Sequence, residues 1–182
     1  MLPMTRPLVL LSNDDGHFSK GIRTLRAALL ETADVVLVAP ETEQSASSHA
    51  LSLHRPLRLR RVEEAIFALD GTPADCVYVA LHAGTRVLAR RPDLVVSGIN
   101  HGMNLGQDAF YSGTVAAARE GALRGIPAVA SSAHPSADLP RVAGLTARIA
   151  LELVAQKAAR APLLNLNIPP RWNGNGLIRR LW

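Results

Sequence analysis

Residues 7–16, Pro-Leu-Val-Leu-Leu-Ser-Asn-Asp-Asp-Gly, constrain the fold of this chain more than any other stretch. A short apolar run that passes at once into polar residues, two adjacent carboxylates and a glycine reads as a buried strand that stops where acidic side chains are delivered to a site. Residues 21–30 then place Ile22, Leu25, Leu29 and Leu30 at helical spacing, and residues 34–39 form a second apolar run that Pro40 ends. Strand, helix and strand within about 35 residues make a βαβ unit, which requires parallel pairing and a right-handed crossover. Asp14 and Asp15 therefore stand at the carboxyl edge of the first strand, where open α/β sheets bind their ligands.

Neighbouring side chains in a strand point to opposite faces, but where the backbone turns at its end two carboxylates can converge on one point. Their repulsion calls for an opposing cation, either a metal or a basic side chain. Oxygen ligands select hard ions such as Mg²⁺, Mn²⁺ or Ca²⁺. An isolated Asp-Asp-Gly also serves simply as an acidic loop capping the next helix, so the later segments decide between the two readings.

Residues 41–49 form a polar loop leaving the same edge; it either brings hydroxyl oxygens to a metal or is a serine-rich connection. Residues 57–60 alternate like an exposed strand, and 65–69 look more buried. Arg55, Arg58, Arg60 and Arg61 form the dense basic patch, read as edge protection ahead of a substrate contact. In residues 70–75, Thr72 caps a helix, Pro73 takes its first position and Asp75 lies in its first turn, a structural pattern that continues to about Ala83. A strand at 94–97 runs into a loop with Gly98, Gly102, Gly106, Asn100 and Asn104, whose glycine spacing is not that of a dinucleotide fingerprint. An asparagine oxygen is a neutral metal ligand; His101 is either a general acid or an ordinary loop histidine.

Tyr111-Ser112-Gly113-Thr114 precedes a helix at 115–124, closed by Gly125, and offers backbone N–H groups and hydroxyls to an anion. A strand at 126–131, an amphipathic helix at 139–159 and a last strand at 163–168 complete the alternation, which Pro169 and Pro170 end. Loops after three buried strands thus carry Asp-Asp, Ser and Asn to one edge, and a helix start adds an anion site. Metal plus phosphate follows, because a divalent ion neutralises ester oxygens and lowers the pKa of an attacking water.

With 182 residues and 48% hydrophobic content the chain suits one buried core, and a single domain over 1–182 is expected. Aromatics are only 4%, so aliphatic side chains fill that core, as in a parallel sheet covered by helices. The net charge of +5 comes almost entirely from arginine, scattered and without interleaved aromatics, which argues against specific nucleic-acid binding. Cys76 sits among apolar neighbours and reads as a buried structural thiol. No stretch approaches a membrane span or a secretory leader, and a cytoplasmic protein is expected.

Taken together, residues 12–16 (Ser-Asn-Asp-Asp-Gly), Gln44-Ser45, residues 71–77 (Gly-Thr-Pro-Ala-Asp-Cys-Val), residues 97–104 (Ser-Gly-Ile-Asn-His-Gly-Met-Asn) and residues 111–115 (Tyr-Ser-Gly-Thr-Val) closely resemble the SurE family of survival proteins, which are 5′-nucleotidases. The resemblance runs from Leu8 to Pro169. It implies an α/β, Rossmann-like three-layer sandwich with a mostly parallel sheet. It also implies a metal-dependent phosphomonoesterase acting on nucleoside 5′-monophosphates, with 3′-nucleotides and short polyphosphate as further substrates. One divalent ion, Mg²⁺ or Mn²⁺, would be held by Asp14, Asp15, Ser45 and Asn100, the two aspartates being catalytic. Asn104, Ser112, Gly113 and Thr114 would lie in the substrate pocket, with Gly16 and Gly98 shaping loops. A homodimer or homotetramer is implied.

The chain departs from the family pattern in places. Ala46 and Ala116 stand where the family usually has glycine, and Ser19-Lys20 replace Ala-Pro before Gly21. These changes bear on pocket fit more than on metal binding. The family also continues beyond the last strand into a C-terminal segment that helps form the dimer, so a shortened member with weakened oligomerisation is expected. The alternatives are a non-catalytic nucleotide- or phosphate-binding module, of which a phospho-receiver domain is one form, and an inactive truncated paralogue.

Overall fold

The computed structural model describes residues 6–156 and 161–172. Its strands are β1 (Leu8–Ser12), β2 (Asp34–Pro40), β3 (Leu59–Glu63), β4 (Ile66–Leu69), β5 (Leu94–His101), β6 (Ala128–Ala133) and β7 (Leu163–Ile168). They form one sheet in the order β3-β4-β2-β1-β5-β6-β7, and every neighbouring pair is parallel except β3 with β4. The helices are α1 (Lys20–Leu30), α2 (Pro73–His82), α3 (Asp108–Tyr111), α4 (Gly113–Leu123) and α5 (Leu139–Ala155). The expected Rossmann-like α/β architecture is the one observed.

Alternation along β1 divides the core in two. Val9 and Leu11 enter a layer with Ile22 and Leu25 of α1 and Val142 and Leu153 of α5; Leu8 and Leu10 enter the opposite layer with Val77 of α2 and Val115 of α4. Both layers are aliphatic and alanine-rich, as the scarcity of aromatics requires. Small residues set how closely the helices approach. A Cβ on Gly121 of α4 would lie 2.5 Å from Cγ2 of Val95, so this face of α4 seats directly on β5.

Several expected boundaries shift for identifiable reasons. β5 does not stop at Ser97 but continues to His101, because its ladder with β6 changes register between Ser97 and Asn100 and resumes with Asn100 opposite Ser132. Gly98 makes that irregularity possible: its φ is +132° and a Cβ there would stand 2.3 Å from the Ser131 carbonyl oxygen. The glycine read as a loop marker is therefore a bulge inside a strand. β3 begins at Leu59 rather than at 57, since the Arg58 amide donates to Asp70 Oδ1 in the turn after β4. β6 begins at Ala128, two residues late, because the Ile126 amide still closes α4 by donating to the Gly121 carbonyl. Helix α5 reaches Ala155; residues 157–159 of the expected 139–159 helix lie outside the described residues.

β3 is the outer, antiparallel strand, with Arg60 and Arg61 exposed, in keeping with the edge-protection reading of the basic patch. Cys76 is buried and free, and burial pushes its thiol pKa well up. Among the described residues no helix is long and apolar enough to cross a membrane.

Candidate active site

In this strand order the chain leaves β1 for β2 on one side and returns on the other side at β5, so the crevice between the carboxyl ends of β1 and β5 is the topological switch point. Asp14 and Asp15 lie just past β1, and Asn100 and His101 end β5.

Asp14 turns toward α4. The Thr114 hydroxyl donates to its Oδ1 and the Thr114 backbone N–H reinforces the contact, so the anion met by the start of α4 is Asp14 itself. Ser112 is the N-cap: its Oγ accepts from the Val115 amide at 3.1 Å. Gly113 leaves no room for a side chain, because a Cβ there would lie 2.8 Å from the Asp14 Cβ and 2.9 Å from Pro73 Cγ. Ser112, Gly113 and Thr114 thus have three separate tasks: capping, close approach and holding Asp14. Asp14 is only 7% exposed, and burial raises its pKa against the lowering effect of the Thr114 bonds.

Asp15 turns the other way, into a cavity of about 630 Å³ between α1, the end of β5 and the start of α5, which it lines with Lys20, Asn100, His101 and His134. Burial first and the Asp14 charge second push its carboxyl up to about 6; the nearby His101 backbone amide acts in the opposite direction. Glu43 adds repulsion to both aspartates. It is a third carboxylate near the pair that the sequence reading passed over as loop polarity.

The loop after β2 is fastened beside this pair at several points. The Gln44 amide donates to the Asp14 carbonyl at 2.8 Å, which brings the loop to the end of β1. Ser45 follows, exposed, its hydroxyl donating to Glu43 Oε1. The Ser48 amide and hydroxyl reach the carbonyls of Tyr111 and Phe110. His49 Nε2 lies 2.8 Å from Glu120 Oε2, and the other Glu120 oxygen accepts from Arg124 Nε at 2.8 Å. Farther on, the Ser52 amide and hydroxyl donate to the two oxygens of Asp75, while the Thr72 hydroxyl donates to the Ala50 carbonyl. Asp75 also completes a capping box with Thr72. Glu120 and Asp75, each 2% exposed, are the anchors of this loop. The sequence reading found Asp75 only as a helix-cap residue and missed Glu120. Its signal was there: a lone carboxylate in an alanine-rich helix, four residues before an arginine.

Asn100 lines the cavity; its Nδ2 donates to the Gly102 carbonyl at 2.8 Å, and its Oδ1 is a neutral oxygen of the kind a hard cation accepts as ligand. Asn104 stands elsewhere, at the ends of β6 and β7. Its Nδ2 donates to Ser132 Oγ, its amide to Asn167 Oδ1, and its carbonyl accepts from Asn165 and Asn167. Of the residues expected at the site, the structure gathers Asp14, Asp15, Ser45, Asn100, Ser112, Gly113 and Thr114 around the β1 and β5 ends; Asn104 is not brought there but is held at the ends of β6 and β7.

Among the described residues no three His, Cys, Asp or Glu side chains form a group that could hold a metal by themselves. A cation here would need the mixed set of two carboxylates with the neutral oxygens of Asn100 and Ser45. The chemistry of that set fits a hard divalent ion. Neither aspartate has a basic ion-pair partner among the described residues, both carboxyls are raised, and Ser47 Oγ is buried near Asp14 with no hydrogen-bond partner.

An open, mostly parallel α/β sheet with a carboxylate pair at its switch point defines a Rossmann-like protein with a small-ligand site at the strand ends. The particular kind is given by comparison: the chain belongs to the SurE family, matching Survival protein SurE over residues 9–179. It is 63% identical over 168 residues to 5′-nucleotidase SurE of Sorangium cellulosum, covering 90% of this chain and 65% of that protein. It is 52% identical over 165 residues to 5′-nucleotidase SurE of Myxococcus xanthus, covering 88% and 62%. The crystal structure of the SurE protein from Aquifex aeolicus superposes with a TM-score of 0.82 at 42% identity, covering 91% of this chain and 67% of that one. The chain thus spans a little under two thirds of the length of these two curated relatives.

Proposed function

We propose that the chain is a metal-dependent phosphomonoesterase that hydrolyses nucleoside 5′-monophosphates to nucleoside and phosphate. The observation that carries this reading is the pair Asp14 and Asp15 at the β1/β5 switch point, raised and without a basic partner, beside the Asn100 oxygen. The similarity to proteins named 5′-nucleotidase SurE supports it. Asp14, Asp15, Asn100 and Ser45 would hold one Mg²⁺ or Mn²⁺, which when bound neutralises phosphoryl oxygens and activates water.

Within that arrangement the chain's own groups divide the work. Asp14, fixed by Thr114, sets the position of the site relative to α4, and Ser112, Gly113 and Thr114 form the wall behind it. Asp15, open to the cavity, is the carboxylate that reaches the incoming substrate. Asn104 braces the ends of β6 and β7 through Ser132 and Asn167. Hydrolysis breaks the bond between phosphorus and the ester oxygen; water supplies the oxygen to phosphate, and its protons pass to the leaving alkoxide and to solvent. The reading extends to 3′-nucleotides and short polyphosphate as further substrates, to a cytoplasmic location, and to a homodimer or homotetramer that light scattering after size exclusion would reveal.

Assay of 5′-AMP with the purified chain tests the proposal. Release of phosphate that EDTA abolishes and Mg²⁺ or Mn²⁺ restores is expected, and Asp14→Asn or Asp15→Asn should remove it. Turnover indifferent to chelator and to both substitutions would contradict it.

A further inference from the structure

Helix α2 joins the end of β4 to the start of β5, so it runs from the carboxyl edge of the sheet to its amino edge. Pro73, at its start, packs beside Gly113 and Asp14; His82, at its end, lies about 15 Å farther along the axis. Around that far end a second cavity, of about 560 Å³, opens between α2, the β3–β4 pair and the turn at Gly84–Arg86. Its size suits a small organic ligand. Phe67 and Val87, both buried, form an apolar floor, and Leu59 and Val79 close the sides.

Charge sets this cavity apart. Arg61, Arg86 and His82 line it, and no carboxylate does. Alternation along β3 puts Arg61 on the same face as Leu59 and opposite Phe67, whereas Arg60 turns away to Glu41. Neither Arg61 nor Arg86 has a carboxylate partner among the described residues. Each uses only Nε on the main chain, at 3.4 Å from the carbonyls of Glu63 and Ala83, so the terminal nitrogens of both guanidinium groups remain as donors. His82 Nδ1 donates to the Tyr78 carbonyl at 2.7 Å and its ring stacks on Tyr78, centroids 4.3 Å apart, with the Arg124 guanidinium 5.0 Å from the Tyr78 centroid. Across the same helix end a smaller cavity is lined by Arg90, Arg91 and Arg124, again with no carboxylate, and adds to the positive potential. Arginines that are scattered in the sequence are thus gathered by the fold beside an aromatic pair.

A cation finds no carboxylate here, and a bare phosphate would leave the apolar floor uncovered. An anion carried on an aromatic body meets both the guanidinium groups and the apolar wall. We propose that this cavity is a second binding site, for an aromatic organic anion, with its ring against Val79 and the Tyr78–His82 pair and its phosphate or carboxylate held by Arg61 and Arg86. The site uses neither Asp14 nor Asp15 and stands whether or not the chain hydrolyses nucleotides.

The test is fluorescence titration of anilinonaphthalene sulfonate, an aromatic anion, against the 182-residue chain in EDTA. The same titration is run on the double variant Arg61→Ala/Arg86→Ala and on Arg148→Glu. Arg148 is an exposed residue of α5, on the opposite layer of the sheet, and its reversal removes the same net charge. Melting curves confirm that each variant is folded. Saturable binding to the parent chain is expected, with a Kd at least about tenfold higher in the double variant and unchanged in Arg148→Glu. Excess ATP and excess naphthoate then distinguish a phosphate-bearing from a carboxylate-bearing occupant, and displacement of the dye by either supports the site. Absence of saturable binding, equal Kd values in the parent and the double variant, equal weakening in Arg148→Glu, or a dye that neither competitor displaces overturns the proposal.

Discussion

Asp14 is sealed under the first turn of α4, whereas Asp15, one residue on, opens into the cavity between α1 and α5. The contrast follows from what covers each carboxylate in the turn just past β1, α4 over Asp14 and the open cavity beside Asp15. On the α4 side Gly113 allows contact so close that a methyl group would collide with Asp14, and the loop after β2 is fastened to α2 and α4 through Asp75 and Glu120. On the α1 side the same sheet edge is left open. One carboxylate is built into the frame and the other faces the open cavity; burial raises both carboxyls, and the Asp14 charge pushes Asp15 up further. A strand end can thus combine a rigid half that fixes geometry with an open half that lines a cavity, using adjacent residues.

The largest effect should come from removing either charge. Asp15→Asn is expected to lower kcat/KM for 5′-AMP by about a thousandfold, and Asp14→Asn by a comparable factor although Asp14 never faces the cavity. A mild loss for Asp14→Asn would break the comparison by making the buried carboxylate dispensable. Next is the anchoring of the rigid half. Glu120→Ala leaves His49 and Arg124 without their shared acceptor and should destabilise the fold by about 2 kcal/mol, read as a melting temperature lower by roughly 5 °C. Divalent-ion affinity should weaken with it, because the Ser45 loop loses its tie to α4.

A smaller effect is expected from pH. The folded Asp15 carboxyl titrates at about 6, above the unfolded value of about 3.9. Between these values the folded state binds more protons than the unfolded one, so this group's contribution to stability falls as pH rises through 6. In EDTA, the melting temperature should therefore drop between pH 5 and pH 7.5 by more in the parent chain than in Asp15→Asn. Added Mn²⁺ should raise it more at pH 7.5 than at pH 5, since the cation and the proton compete for the same oxygens. Smallest is Ala46→Gly. Ala46 holds φ at +57°, a conformation that costs a non-glycine residue roughly 1 kcal/mol, and glycine there should stabilise the loop by up to about that amount in urea unfolding.

The βαβ start, the parallel core and the loops that carry the site were legible because apolar runs and their punctuation report strands and helices directly. Ser112-Gly113-Thr114 was legible as a set, although the sequence offered them to an outside anion and the structure gives Thr114 to Asp14. What could not be read was long-range pairing. The β5–β6 register shift at Gly98 depends on Ser131, and Glu120 and Asp75 find their partners at His49 and Ser52, so the local sequence can mark Glu120 as unusual but cannot name what it holds. The opposite directions of Asp14 and Asp15 likewise follow from which helix covers which face. Ala46 shows the reverse case: a departure from a usual glycine, visible in the sequence, whose meaning appears only with its backbone angle.

The most direct measurement is Mn²⁺ binding to the chelator-treated chain, followed by electron paramagnetic resonance, for the parent and for Asp14→Asn, Asp15→Asn and Asn100→Ala. One tight site in the parent, lost in both aspartate variants and weakened at least tenfold in Asn100→Ala, is the predicted result. Equal Mn²⁺ binding in the parent and in Asp15→Asn would contradict the assignment of the two carboxylates to one cation.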